Sequence, residues 1–166
     1  MNSIISVANY IIEKYKAVSG SNVIDEMKLH KLLYFAQRES LAITDNPLFP
    51  EPLEGWKYGP VSPLVRSVFT PHGLEVDDYE EVSPETMYIV NNVIDQYGSI
   101  EAWKLSELSH REISWNNARE GLNPSMSGNR ELSIDDIRLD AEKIRPYDSL
   151  YDMYYDEFEN AEVIVQ

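Results

Sequence analysis

Few side chains in this sequence are equipped for chemistry, and their spacing limits what they can do. The three histidines, His30, His72 and His110, fall in separate segments, with no HExxH pattern and no Asp/His clustering. They therefore do not supply the convergent ligands that a metal requires. The chain has no cysteine, which removes thiolate chemistry and disulfides and fits a reducing compartment. A glycine-rich phosphate loop, a nucleophile elbow and a dinucleotide fingerprint are all missing. What remains is His110 with Glu107 and Glu112 nearby. A carboxylate that orients an imidazole makes an acid/base pair, on which a hydrolase or transferase could be built. A histidine at a helix end that caps carbonyls is the commoner use of such a position. Lys31 and Tyr34 share a helix without forming a known catalytic set. The expectation is no catalytic residue, no metal and no cofactor.

The elements that must position these residues read as a series of capped helices. Ile4, Ile5, Ala8, Ile11, Ile12 and Tyr15 recur at helical spacing over residues 3–18, and Gly20 ends the run. Asp25 caps a second helix so apolar that only Lys28, His30, Lys31 and Gln37 provide a polar face, which places it at the centre of the core. The loop TDNPLFPEPLEG, with three prolines, forbids a long helix. Alternation then puts Trp56 and Tyr58 on one side of an extended segment and Lys57 on the other, with Gly59 and Pro60 as the turn. Ser62-Pro63 starts a short helix over 64–69, and residues 70–82 form a loop or weak edge strand. Ser83-Pro84 starts a helix whose stripe is Met87, Val90, Ile94 and Tyr97, closed by Gly98. Ser99 starts another, holding Trp103, Leu105 and Leu108. Ser114 starts a third, which Gly121 stops. Ser133 and Asp136 resemble a capping box, and Ile134, Ile137, Ala141 and Ile144 line a last helix that Pro146 ends. The fold class is mainly α: a compact multi-helix single domain with a short extended or β-hairpin element around Trp56 to Tyr58.

Composition restricts the partners. Length suits one domain, large enough to bury roughly 70 % of the surface its unfolded form exposes, and a hydrophobic fraction of 43 % with eleven Tyr is that of a folding chain. No apolar run approaches the roughly 18 to 20 residues of a membrane span, and the start lacks a signal peptide, so a cytoplasmic protein is expected. A formal charge of −15 repels phosphate backbones and argues against direct nucleic-acid binding. No base follows Arg145, whereas Asp148, Asp152, Asp156, Glu157, Glu159 and Glu162 do. They either solvate the segment or steer a basic partner toward it.

Four segments in order, KLHKLLYFAQ at 28–37, GWKYGPVSPLV at 55–65, LSELSHREISWNNAR at 105–119 and LSIDDI at 132–137, resemble the successive motifs of the Panacea domain, the SocA/GepA-like family. One departure is Ser114, where the family pattern usually has Pro before Trp; both begin helices well. The resemblance implies a Panacea-like domain over 1–146 and an acidic, tyrosine-rich segment over 147–166. It implies an antitoxin of a two-gene system, often carried by a prophage, that binds its cognate toxin without catalysis. An adaptor that delivers a partner to a protease is the second implied role. Lys28, Leu32, Leu33, Tyr34, Gly59, Pro60, Val61, His110 and Trp115 are its scaffold positions. Trp56 and Tyr58 either anchor the turn against the central helix or touch the partner. Outside the resemblance, Tyr147, Tyr151, Tyr154 and Phe158 are spaced to share a helix face. Tyr151, Tyr154 and Phe158, with Asp152, Asp156 and Glu157, belong either to the core or to an amphipathic segment that lies in a basic groove on a toxin. The final Val-Ile-Val is a weaker candidate for strand addition.

Overall fold

The computed structural model describes residues 1–144. These residues form α1 (Ile4–Ser19), α2 (Glu26–Thr44), β1 (Glu54–Trp56), β2 (Gly59–Val61), α3 (Pro63–Val68), β3 (Phe69–Thr70), β4 (Gly73–Leu74), α4 (Pro84–Tyr97), α5 (Ala102–Ser109), α6 (Ile113–Ala118) and α7 (Ile134–Glu142). The architecture is mainly α, with two small antiparallel hairpins, β1-β2 and β3-β4.

Local chemistry sets most of the helix starts. Ser3, Asp25, Ser62, Ser83 and Ser133 each accept from a backbone N–H three residues on, satisfying one of the free donors of the first turn. Gly20 takes the left-handed conformation after α1, at φ 74°, which its missing Cβ allows. The Ser133 box is half made: its hydroxyl accepts from Asp136, while the Asp136 carboxylate accepts from Asn117 Nδ2 at 3.2 Å.

α2 runs through the middle and packs against α1, α4, α5, α7 and β2. Its expected polar face is not at the surface. Every residue from Lys28 to Leu41 is buried, Lys28, His30, Lys31 and Gln37 included. With neighbours on all sides, a polar stripe on this helix can only meet partners inside the protein. α1 covers it with Ile4, Val7, Ala8, Ile11 and Ile12, and α4 with Ile89, Val90, Val93 and Ile94. Thr86 joins that buried face, whereas Met87 is half-buried.

Other expectations are corrected by neighbouring elements. The first hairpin turns at Lys57 and Tyr58, and Gly59 and Pro60 lie in its second strand, with Trp56 opposite Gly59 and Glu54 opposite Val61. α5 begins after Glu101 rather than Ser99, and Trp103 points outward, 58 % exposed. α6 begins after Glu112, and the hydroxyl of Ser114 serves the buried carboxylate of Asp140 instead of capping its own helix. Within the segment expected as loop or edge strand, Phe69 to Leu74 closes a second hairpin.

Candidate partner-binding surface

The β1-β2 hairpin brings together two of the three tryptophans of the chain, Trp56 and Trp115. Trp56 ends β1, half-buried, and its indole N–H donates to Glu54 Oε1 at 2.9 Å. Trp115, on α6, donates to the Trp56 carbonyl at 2.8 Å. Trp103 lies one turn before Ser106 on α5, and the Ser106 hydroxyl donates to the Tyr58 carbonyl at 2.5 Å. Tyr58 itself is 56 % exposed at the turn. Tyr58 is thus mostly outside the clamp expected against α2, and Trp56 is half-buried. The strand after them packs on α2: Gly59, Pro60 and Val61 are buried, and Lys31 Nζ donates to the Pro60 carbonyl at 3.0 Å. Gly59 is required here by two constraints. Its φ is 121°, and a Cβ would stand 2.4 Å from Lys31 Cε and 2.6 Å from Ser109 Oγ.

Beside the hairpin lies a cavity of about 280 Å³ walled by Met27, Trp56, Tyr58 and Val61, with Glu26, Lys57 and Arg66 also lining it. Arg66 lies over the Trp56 ring at 5.3 Å and pairs with Glu26. Its far wall is the loop of Ser125 and Ser127, which Arg119 pins by donating to the carbonyls of Met126, Ser127 and Gly55 at 2.6, 2.9 and 3.0 Å.

Beneath the surface, α2 presents a buried polar stripe, Lys28, Lys31, Tyr34 and Arg38. Lys28 Nζ donates to the Gly98 carbonyl at 2.8 Å. Burial lowers Lys31 to about 7, against the pull of Asp25 and Glu26. His30 is pushed down to about 3, by burial first and then by Lys31 and Arg66. Its Nδ1 accepts from Ser62 N at 3.2 Å, so the neutral ring carries its proton on Nε2, 3.6 Å from Glu26. Leu32 and Leu33 fill the core.

Farther along, the Tyr34 hydroxyl stands 2.7 Å from Glu112 Oε2 and 2.8 Å from Asp140 Oδ2. Burial and both carboxylates raise Tyr34 well above the usual tyrosine range, and burial raises Glu112. Arg38 answers part of this charge, donating to Glu112 Oε1 at 3.0 Å and to the Tyr97 hydroxyl at 2.7 Å. Asp140 accepts from Ile113 N at 2.6 Å and from Ser114 Oγ at 2.5 Å, capping α6 from another helix.

His110 does not form the acid/base pair with Glu112, which is committed to Arg38 and Tyr34. It sits at the C-cap of α5, its ring stacks on Trp115 at 4.1 Å, and its Nε2 has no hydrogen-bond partner among the described residues. Burial, Lys31 and Arg119 lower its pKa, with Glu107 and a hydrogen bond to the Tyr58 backbone opposing. No group of three His, Asp or Glu side chains converges as a metal site among the described residues. Nor is any helix there long and apolar enough to cross a membrane. Tyr151, Tyr154, Phe158, Asp152, Asp156 and Glu157 lie outside the described residues.

The family model described as "Antitoxin SocA-like, Panacea domain" matches residues 29–116, just over half of the chain. The chain belongs to this family. The Panacea match takes in nearly all of α2, the hairpin, α5 and the Trp115 stack, and leaves out Asp140 and the loop that walls the cavity. The antitoxin SocA of Caulobacter vibrioides (strain NA1000 / CB15N) is 38 % identical over 68 residues, covering 41 % of this chain and 35 % of that protein. The aligned part thus spans about a third of the relative's length. No solved structure is significantly similar.

Arg38, Asp140 and Arg66 were not singled out from the sequence, and Glu112 only as a partner for His110. One signal was present: Lys28, Lys31, Tyr34 and Arg38 recur every three or four residues along an otherwise apolar helix, a pattern that places several polar groups on one buried line.

Proposed function

We propose that this Panacea protein is the antitoxin of a two-gene toxin–antitoxin pair and neutralises its toxin by direct binding, without catalysis. The observation that carries this reading is the grouping of Trp56, Tyr58 and Trp115 around one hairpin inside the family match, with Tyr58 more than half exposed. Large aromatics around a small cavity are the usual anchors of protein interfaces. The name of the relative supports the antitoxin role, and a charge of −15 suits a basic toxin met by electrostatic steering.

Co-expression with the adjacent gene tests it. The neighbour should arrest growth alone, and this chain should restore growth and co-purify with it. A harmless neighbour, or a pair that never associates, ends the proposal. Repeating the rescue in protease-deleted hosts separates binding from delivery to a protease: rescue that vanishes there makes the chain an adaptor.

A further inference from the structure

The segment after the loop of Ser125 and Ser127 returns to the hairpin and pairs with β1 on the side away from β2. Gly55 N donates to the Arg130 carbonyl and Leu132 N to the Leu53 carbonyl, each at 2.8 Å, which sets Glu131 opposite Glu54 in antiparallel register. In such a ladder the residues between two bonded positions turn their own N–H and C=O away from the neighbouring strand. The exposed Glu131 therefore aims its backbone outward, and neither group finds a hydrogen-bond partner among the described residues. That leaves an open strand edge. β2 offers none, because Pro60 has no N–H and its carbonyl is held by Lys31.

Charge at this edge is unbalanced. Residues opposite each other in a non-hydrogen-bonded pair hold their side chains close on one face of the sheet, where like charges are unfavourable. Glu54 and Glu131 form such a pair, and no base forms an ion pair with either among the described residues. The flanking arginines are turned to carbonyls, Arg119 to those of Gly55, Met126 and Ser127 and Arg130 to that of Glu120. The neighbours Leu53 and Leu132 face the other way and, with Pro52, Ile134 and Ile137, wall a cleft of about 390 Å³. Two polar side chains in its lining are already engaged: Glu51 accepts from Ile4 N, and Gln37 accepts from Leu48 N while donating to the Phe49 carbonyl.

We propose that the Glu131 edge is the docking site for an extended basic segment of a partner protein. The segment adds a strand beside residues 129–132, sets a lysine or arginine opposite Glu131, and turns the next residue, an apolar one, toward the cleft. Backbone bonds to Glu131 fix its register, the basic side chain relieves the Glu54–Glu131 repulsion, and a molecule of charge −15 draws such a segment in. The inference goes beyond the toxin-binding reading and is tested without toxin, so either can fail alone.

The probe is an acetylated, amidated hexapeptide of alternating lysine and valine, added to the isotope-enriched full chain. In the free chain the Glu131 amide should exchange with solvent almost as fast as an unprotected one. With the peptide it should slow, and amide shifts should centre on residues 129–133. Glutamate in place of lysine, or methylation of the peptide's backbone nitrogens, should abolish binding. Glu131→Gln removes one of the two like charges, so it should weaken the peptide severalfold without lowering the urea midpoint of the protein, and Glu131→Lys should weaken it further. A Glu131 amide already protected in the free chain overturns the proposal, as do shifts scattered over the acidic surface, equal binding of the glutamate or methylated peptide, or an affinity that neither Glu131 variant moves.

Discussion

Lys31 carries an ammonium into the interior with one neutral acceptor, the Pro60 carbonyl, in direct reach. Its pKa of about 7, against 10.5 for a free lysine, means that the folded protein binds fewer protons than the unfolded chain across that interval. Stability must therefore rise as the pH climbs from about 7 toward 10.5. From pH 7 to pH 9 the gain is at most about 3 kcal/mol. His30 contributes its own rise at lower pH, between about 3 and 6.5. Urea midpoints at pH 7 and pH 9 should increase for the natural chain and stay level for Lys31→Met; equal curves would show that Lys31 keeps an ordinary proton affinity. Trp56 and Tyr58 call for a different measurement. Full truncation of a core aromatic costs about 3 to 5 kcal/mol, but Trp56 is half-buried and Tyr58 mostly exposed. Tyr58→Ala should leave the thermal midpoint within about 2 °C and weaken toxin binding at least about tenfold, as a hot-spot loss does. Unchanged affinity would remove the hairpin tip from the interface.

The hairpin is held from below by its second strand and from the side by α5 and α6, so its weak point is Gly59. Gly59→Ala combines a backbone angle that L residues avoid with a Cβ placed inside van der Waals range of Lys31 and Ser109. The expected cost is about 2 to 4 kcal/mol, read from denaturant unfolding, and a neutral result would mean that the strand can shift off α2. α6 depends on a partner from another element. Its own N-cap position, Glu112, makes no side-chain cap, and Asp140 of α7 supplies the acceptor. Asp140→Ala strands the Ile113 N–H and the Ser114 hydroxyl, leaves the Tyr34 hydroxyl with Glu112 alone, and should cost about 3 kcal/mol or more. Hydrogen exchange should show the loss concentrated in α6 and α7; uniform loss would refute the tertiary cap.

For the whole molecule, charge governs encounter more than fold. Neutralising Asp152, Asp156 and Glu157 in the full chain should slow association with a basic toxin severalfold at low salt and flatten its salt dependence, with little change in the off-rate. An altered off-rate with an unchanged on-rate would assign these acids to direct contacts. The domain has a chain-wide dependence of its own, since α2 packs against α1, α4, α5, α7 and β2 and its polar stripe draws acceptors from β2, the N-cap of α6, α7 and the turn after α4. Tyr34 and Arg38 thus couple segments more than seventy residues apart.

Helix starts at Ser3, Asp25, Ser62, Ser83 and Ser133, the centrality of α2 and the mainly α class were legible because caps and apolar periodicity act over a few residues. The family motifs likewise marked the residues that surround the hairpin. Tertiary structure alone decided where polar groups found their partners. No local pattern distinguishes a lysine facing water from Lys31 facing Pro60, or marks Asp140 as the cap of a helix more than twenty residues earlier. Nor does alternation in a two-strand hairpin reveal which side meets the core: a turn moved to Lys57 and Tyr58 exchanged the buried and exposed halves of the motif. These outcomes depend on long-range packing, where a buried polar group is satisfied by whichever element lies against it.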